Sequence, residues 1–227
     1  TRQNGRPGVS PTADRNVIHD KYKSMGDSFL LINVGNISVQ KNQEMLIKAV
    51  KKYNSAERIK CRLLILGEVK SEVLFSDLKN LVSDDPYIEF LGGKQNVADY
   101  LSVADAFCLS SIHEGMPISL IEAMCLGCIP ICTPVGGVKE MIRDEVTGFL
   151  SKSVSVDAFC EVLKRAVNFP KRDAIKKNIM EEFKQKYHIK ISAERHLKTY
   201  NKALNLFEGN DNAFELLYKS KFLNVDH

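Results

Sequence analysis

No apolar run in the 227-residue chain approaches the roughly 18 residues of a membrane-spanning helix, and no basic segment followed by an apolar stretch opens it as a secretion signal would. A soluble, cytoplasmic protein is therefore expected. Charge of one sign is also lacking: 32 Lys+Arg against 28 Asp+Glu leave +4, and only the stretch near 164–190 is denser in basic residues. That is too little and too diffuse for a nucleic-acid partner, but it leaves room for a small acidic ligand. Six cysteines in a chain of this size, several inside apolar runs, read as reduced thiols and not as a disulfide framework. Internal repeats and low-complexity tracts are absent as well. With 44% hydrophobic and 26% charged residues, the composition is that of a globular protein with a well-filled core.

The first 28 residues, TRQNGRPGVSPTADRNVIHDKYKSMGDS, are polar and show no sustained period, which reads as a linker or boundary segment. After them, β-rich runs at 29–35, 61–67, 87–91, 106–110 and 129–133, with a weaker one at 147–150, alternate with amphipathic stretches. The helical stretches lie near 42–53, 71–82, 96–103, 117–126, 137–143 and 155–168, and most of the strands are apolar on both faces. This alternation predicts an α/β fold: a Rossmann-like, doubly wound parallel sheet of about six strands with helices on both faces. From about 171 the chain reads as helix alone, ending in 191–207 and a short turn at 214–218. In such a sheet ligands bind beyond the carboxyl ends of the strands, so the loops after Gly35, Gly67, Leu91, Ser110 and Thr133 are where chemistry is expected.

The most informative segment is 110–127, SSIHEGMPISLIEAMCLG. Pro117 suits the first turn of a helix, where its missing N–H would be unpaired anyway, and predicts a helix over 117–126. Glu122 is the only charge on that helix. Its neighbours three and four positions away are Ile118, Ser119, Cys125 and Leu126, which offer no cation. Such a carboxylate either reaches solvent or accepts hydrogen bonds in a cleft, and vicinal hydroxyls like those of a ribose are suitable donors. Glu114 stands beside Gly115, where a backbone can approach a ligand closely, and the N–H groups of Ile118 and Ser119 face the positive helix end. The segment offers an anion seat between two carboxylates. Taken singly, Glu114 reads as a residue favouring a helix N-terminus and Glu122 as one reaching to water.

EGMPISLIEAMCLG, with its Glu-x7-Glu spacing from Glu114 to Glu122, resembles the donor-site motif of retaining glycosyltransferases with the two-domain glycosyltransferase-B fold. Four further stretches agree in order and spacing. VGNISVQKNQEMLIKAV resembles the family's Gly-Arg-x4-Lys-Gly/Asn element, and LLILGE its second strand and glycine turn. IEFLGGKQNVADYLSVADAFCLSS resembles the strand, helix and strand that follow, and IPICTPVGGVKEMIRDEVTGFL the Pro-strand-Gly-Gly-x-x-Glu tail. Several motifs in the right order are far more specific than one short spacing.

The resemblance implies that the chain is the C-terminal, donor-binding half of such an enzyme. Residues 1–28 would be an interdomain linker, 29–170 the nucleotide-sugar domain and 171–227 a helical segment packed on it. A start at Thr1 fits a chain cut at that linker. The other half, an N-terminal Rossmann domain, would carry the acceptor site and leave room for peripheral contact with the inner face of a membrane. Glu122 would accept the ribose hydroxyls of a UDP- or GDP-sugar and Glu114 hydroxyls of the sugar. Gly115, Met116, Pro117, Ile118 and Ser119 would line sugar and phosphate, largely through backbone N–H groups, with His113 beside them. Lys41, six residues after Gly35, would neutralise the diphosphate as it leaves, without a metal or other cofactor. Lys94 and Gln95 fall where relatives read the nucleobase.

One departure stands out, since Asn36 occupies the place of the family's arginine and an amide donates without charge assistance. A non-catalytic module or scaffold that kept the fold therefore stays open beside the transferase reading, as does a relative of sugar-nucleotide epimerases. Glu140 matches an acidic family position, but the reading preferred for it is a helix-start acid after the tight turn of Gly136 and Gly137. The spacing of Cys125, Cys128 and Cys132 invites a metal reading, but Cys125 and Cys132 fall where relatives place small residues, so packing is expected there and not metal binding. Asn36-Ile37-Ser38 matches the N-glycosylation pattern and is read as a chance match, since no secretion signal is expected.

Overall fold

The computed structural model describes residues 10–12, 14–23, 28–188 and 191. The chain divides into a unit of Gly8–Gln185 and one of Thr1–Pro7 with Lys186–His227. The helix expected at 191–207 and the short turn expected at 214–218 lie outside the described residues, Ile191 apart.

Six strands, β1 (Phe29–Val34), β2 (Cys61–Leu66), β3 (Ile88–Gly92), β4 (Ala106–Leu109), β5 (Ile129–Cys132) and β6 (Phe149–Leu150), form one sheet in the order β3-β2-β1-β4-β5-β6. Every pairing is parallel, from Phe29 opposite Cys61 to Cys132 opposite Leu150. Continuous apolar strands demand cover on both faces, and helices supply it. On one face α2 (Gln43–Ala56), α3 (Glu72–Val82) and α7 (Val156–Asn168) enclose Leu31, Leu63, Ile65, Ala106 and Ile131 around the fully buried Tyr53 and Phe159. On the other, α4 (Val97–Val103), α5 (Ile118–Cys125) and α8 (Arg172–Glu182) pack on β1, β4 and β5. A four-residue α6 (Val138–Met141) leads from β5 toward β6, and a π-helical turn, Phe183–Tyr187, follows α8.

Two expectations need correction. Within the supposed linker, α1 (Asp14–Lys23) is a helix packed on α4, burying Ile18 and Tyr22. Its anchor is polar: Thr12 donates both its N–H and its hydroxyl to the fully buried Asp99, the latter at 2.7 Å, and Tyr22 donates to Glu89 at 3.0 Å. Burial raises the affinity of the Asp99 carboxyl for its proton, but the Thr12 and Asn96 hydrogen bonds outweigh it and hold the carboxyl below its ordinary value. Pro117, placed by sequence in the first turn of α5, instead precedes it as the N-cap in an extended conformation.

The strand order places the chain reversal between β1 and β4. From β1 the chain moves outward through β2 to β3, then crosses back to β4 and proceeds the other way. The loops leaving these two adjacent strands part in opposite directions and open a crevice at their carboxyl ends.

Candidate functional site at the β1–β4 crevice

The loop leaving β1 is fixed by short polar links. Gly35 and Ile37 donate backbone N–H groups to the carbonyls of Leu66 and Glu68, both at 2.8 Å. Gly67 must be glycine for this approach, because a methyl there would lie 2.0 Å from the Gly35 carbonyl oxygen. The Ser38 hydroxyl caps a 3-10 turn, Val39–Lys41, and Asn42 then takes a left-handed conformation, φ 51°, that an asparagine tolerates better than most residues. The buried Gln43 amide donates to the Asn36 carbonyl at 3.1 Å. These links fold the Lys41 stem back over Gly35, where a methyl would lie 3.3 Å from Lys41 Cε.

The loop leaving β4 is stitched to the first. Ile112 N–H donates to the Gln40 carbonyl at 2.9 Å, Gln40 Nε2 to the His113 carbonyl at 3.0 Å, and the Ser110 hydroxyl to the Lys41 carbonyl at 2.7 Å. Between them Lys41 Nζ meets Glu114 Oε1 at 2.6 Å, and the Ser111 hydroxyl donates to that same oxygen at 2.6 Å. The Lys41 and Glu114 side chains keep only 22% and 8% of their exposure. Desolvating two charges offsets much of their attraction, so such a pair is poor evidence of stabilisation and better evidence of a site. The pair leaves capacity on both sides. Two N–H bonds of the ammonium and the Glu114 Oε2 atom have no partner among the described residues. One is suited to phosphate oxygens, the other to hydroxyl donors.

Beside this pair a cleft of about 500 Å³ runs over the ends of β1, β2 and β3, lined by Gly35, Asn36, Gly67, Glu68, Lys94 and Gln95, among others. A smaller one of about 180 Å³, sharing Gln95 and Val97 with it, leads to Glu122 on α5. The structure thus gathers Gly35, Asn36, Lys41, Lys94, Gln95, Glu114 and Glu122 at one end of the sheet. Gly115 and His113 are exposed on the loop, Met116 and Ser119 are half-buried, and Ile118 keeps 43% exposure at the start of α5. Glu140 lies exposed on α6.

Three residues escaped sequence reasoning. Ser111 orients Glu114, Gln43 holds the Asn36 peptide, and Glu68 lines the cleft, its carboxyl held below the ordinary value by Lys70. The serine pair directly after β4 was the available signal for the first. The cysteines sit in packing positions: Cys108 and Cys132 are fully buried in neighbouring strands and burial pushes both thiols up. Cys128 is buried and Cys125 partly so, and among the described residues no three His, Cys, Asp or Glu side chains gather as a metal-ligand group.

Among curated proteins the chain is 27% identical over 188 residues to N-acetyl-alpha-D-glucosaminyl L-malate synthase of Bacillus anthracis, covering 82% of this chain and 48% of that protein. It spans less than half the length of the curated relatives it matches. HepE from Anabaena, crystallised with UDP and glucose, superposes with a TM-score of 0.74 at 17% identity, covering 86% of this chain and 53% of HepE. The C-terminal domain of LpcC, a group 1 glycosyl transferase from Francisella tularensis, gives a TM-score of 0.65 at 22% identity, covering 80% of this chain and 97% of that domain. The family model of glycosyl transferases group 1 matches residues 14–182, from the start of α1 to the end of α8, and the chain belongs to that family.

Proposed function

We propose that the chain is the donor-binding half of a retaining glycosyltransferase that moves a sugar from a UDP- or GDP-sugar to an acceptor hydroxyl in polysaccharide or glycoconjugate synthesis. The observation that carries this reading is the convergence of Lys41, Glu114 and Ser111 at the β1–β4 crevice, next to a cleft that ends at Glu122. The ammonium faces the diphosphate, Glu114 Oε2 accepts sugar hydroxyls and Glu122 the ribose hydroxyls. The glycosidic bond to the diphosphate breaks, the diphosphate leaves with the electron pair, and the acceptor oxygen bonds the anomeric carbon from the same face as its proton passes to the departing phosphate oxygen. Lys41 then holds a charge that grows in the transition state, which is where a fixed cation acts most strongly. Lys94 lies in the wall that holds Asn36, and it supplies the second cation that the family places at that asparagine.

Two findings support the half-enzyme reading: the share of each relative that is matched, and the near-complete overlap with an isolated C-terminal domain. UDP in HepE supports a uridine donor. The acceptor site and the second wall of the cleft then belong to an N-terminal domain of the same polypeptide, and the helices and Lys41 neutralise the diphosphate without a metal. Saturation-transfer NMR with UDP, GDP and their sugars tests the donor: one of them gives saturation transfer to its ribose and sugar protons. No binding by any of them to the folded chain sinks the reading. Asn36 favours one rival, a scaffold that binds nucleotide sugar without turnover. Product analysis of the complete protein with donor and acceptor separates the two, since a scaffold releases no glycoside and a retaining enzyme gives one of unchanged anomeric configuration.

A further inference from the structure

Gly136 and Gly137 lie in the loop between β5 and α6, next to the loop after β4 because those strands are neighbours. A methyl on Gly136 would lie 1.8 Å from the Glu114 carbonyl oxygen, and one on Gly137 2.2 Å from that of Gly115. The two carbonyl carbons stand at 3.0 and 3.4 Å. They are farther by about 1.2 Å, the length of a C=O bond, so both carbonyls point head-on at the glycines. In a planar trans peptide the next N–H points the opposite way, and no peptide bond of the described chain is cis. The N–H groups of Gly115 and Met116 therefore point away from Gly136 and Gly137; β1, whose loop carries Gly35 and Lys41, lies on the opposite side of β4 from β5. Neither of these two N–H groups donates to an acceptor among the described residues.

The two glycines differ in a useful way. Gly136 has φ +46°, which favours glycine by itself. Gly137 has φ −67° and ψ −12°, open to any residue, so its missing side chain answers only to the Gly115 carbonyl.

We infer that Gly136 and Gly137 are positioning residues that aim the Gly115 and Met116 amides into the crevice as a backbone anion site facing Lys41. The site takes the diphosphate of the donor, so the inference rests on the function proposed above. Adjacent, convergent N–H groups across from an ammonium hold phosphate oxygens without reorganising when negative charge develops. Any side chain at 137 pushes the Gly115 carbonyl aside, and the Met116 N–H turns with it.

The test is Gly137→Ala in the 227-residue chain, titrated with UDP and with uridine. UDP affinity falls about tenfold or more, the loss expected for one hydrogen bond to a charged group, while uridine binding holds. UDP binding within about twofold of the unsubstituted chain, or a loss shared equally by uridine, overturns the inference and leaves the proposed function standing. Should the variant fail to fold, amide NMR of the unsubstituted chain decides: the Gly115 and Met116 N–H signals move with UDP and stay put with uridine, and the opposite pattern overturns the inference. A chain that binds neither UDP nor uridine is titrated with GDP and guanosine under the same criteria, and failure to bind any of the four defeats the proposed function and this inference together.

Discussion

Two side chains define the site at the scale of single residues, and each yields a distinct expectation. Lys41 is held near its working position by Glu114 at 2.6 Å before any ligand arrives. If it neutralises the leaving diphosphate as proposed, replacing it by alanine in the complete protein lowers turnover by about a hundred- to a thousandfold, as for other fixed groups at a developing charge. Steady-state kinetics checks this, and a rate within a few-fold of the parent counts against the role. On the proposed reading Glu122 accepts the ribose hydroxyls, so Glu122→Ala weakens UDP by about tenfold or more, the worth of a hydrogen bond to a charged acceptor. The same substitution leaves 2′,3′-dideoxy-UDP unaffected. An equal loss for both ligands, read by calorimetry, assigns Glu122 elsewhere. At this scale the sequence was most informative where charge is unusual for its setting. A lone carboxylate on an apolar helix stands out, whereas Ser111 and Gln43 are ordinary residues whose roles appear only when β1 and β4 come side by side.

Among the elements, α1 and the glycine turns carry the testable energetics. The Asp99 carboxyl is held below its ordinary value of 3.8 by Thr12 and Asn96. Its contribution is therefore fully present above about pH 4 and is lost as the pH falls through the lower folded value. Asp99→Asn destabilises the fold at neutral pH by about 1–3 kcal/mol, through a buried hydrogen bond made poorer, and flattens the acid limb of the stability curve. Chemical denaturation from pH 7 downward checks this, and an unchanged acid limb contradicts it. Gly67→Ala forces the Gly35 carbonyl away from a methyl that would lie 2.0 Å from it. That overpacking lowers stability by about 1–3 kcal/mol, measurable as a fall in the denaturation midpoint. The core strands were legible because burial on both faces makes them continuously apolar, and their observed bounds lie within two residues of the expected ones. Helix α1 was not, because among its described side chains Ile18 and Tyr22 alone are buried, and its docking rests on Asp99 and Glu89, which meet Thr12 and Tyr22 from far away in sequence.

For the whole molecule, the strand order marks where a ligand crevice opens: among the described strands the order reverses between β1 and β4, and the two loops leaving them bear the lysine and the carboxylate. Alternation of strands and helices made the fold class legible, but no local pattern reveals which loops become neighbours, so the Lys41–Glu114 pair emerges only from the assembled sheet. The modest +4 charge agrees with the proposed ligand, since Lys41 and Lys94 at the crevice would serve a diphosphate without a basic surface. The central claim is that this crevice binds a nucleoside diphosphate. Calorimetric titration of UDP and GDP into the chain, beside a Lys41→Ala/Glu122→Ala double variant of matched stability, tests it most directly. The account predicts saturable one-to-one binding of one nucleotide and its loss in the variant; equal heats for parent and variant, or none for either nucleotide, would contradict it.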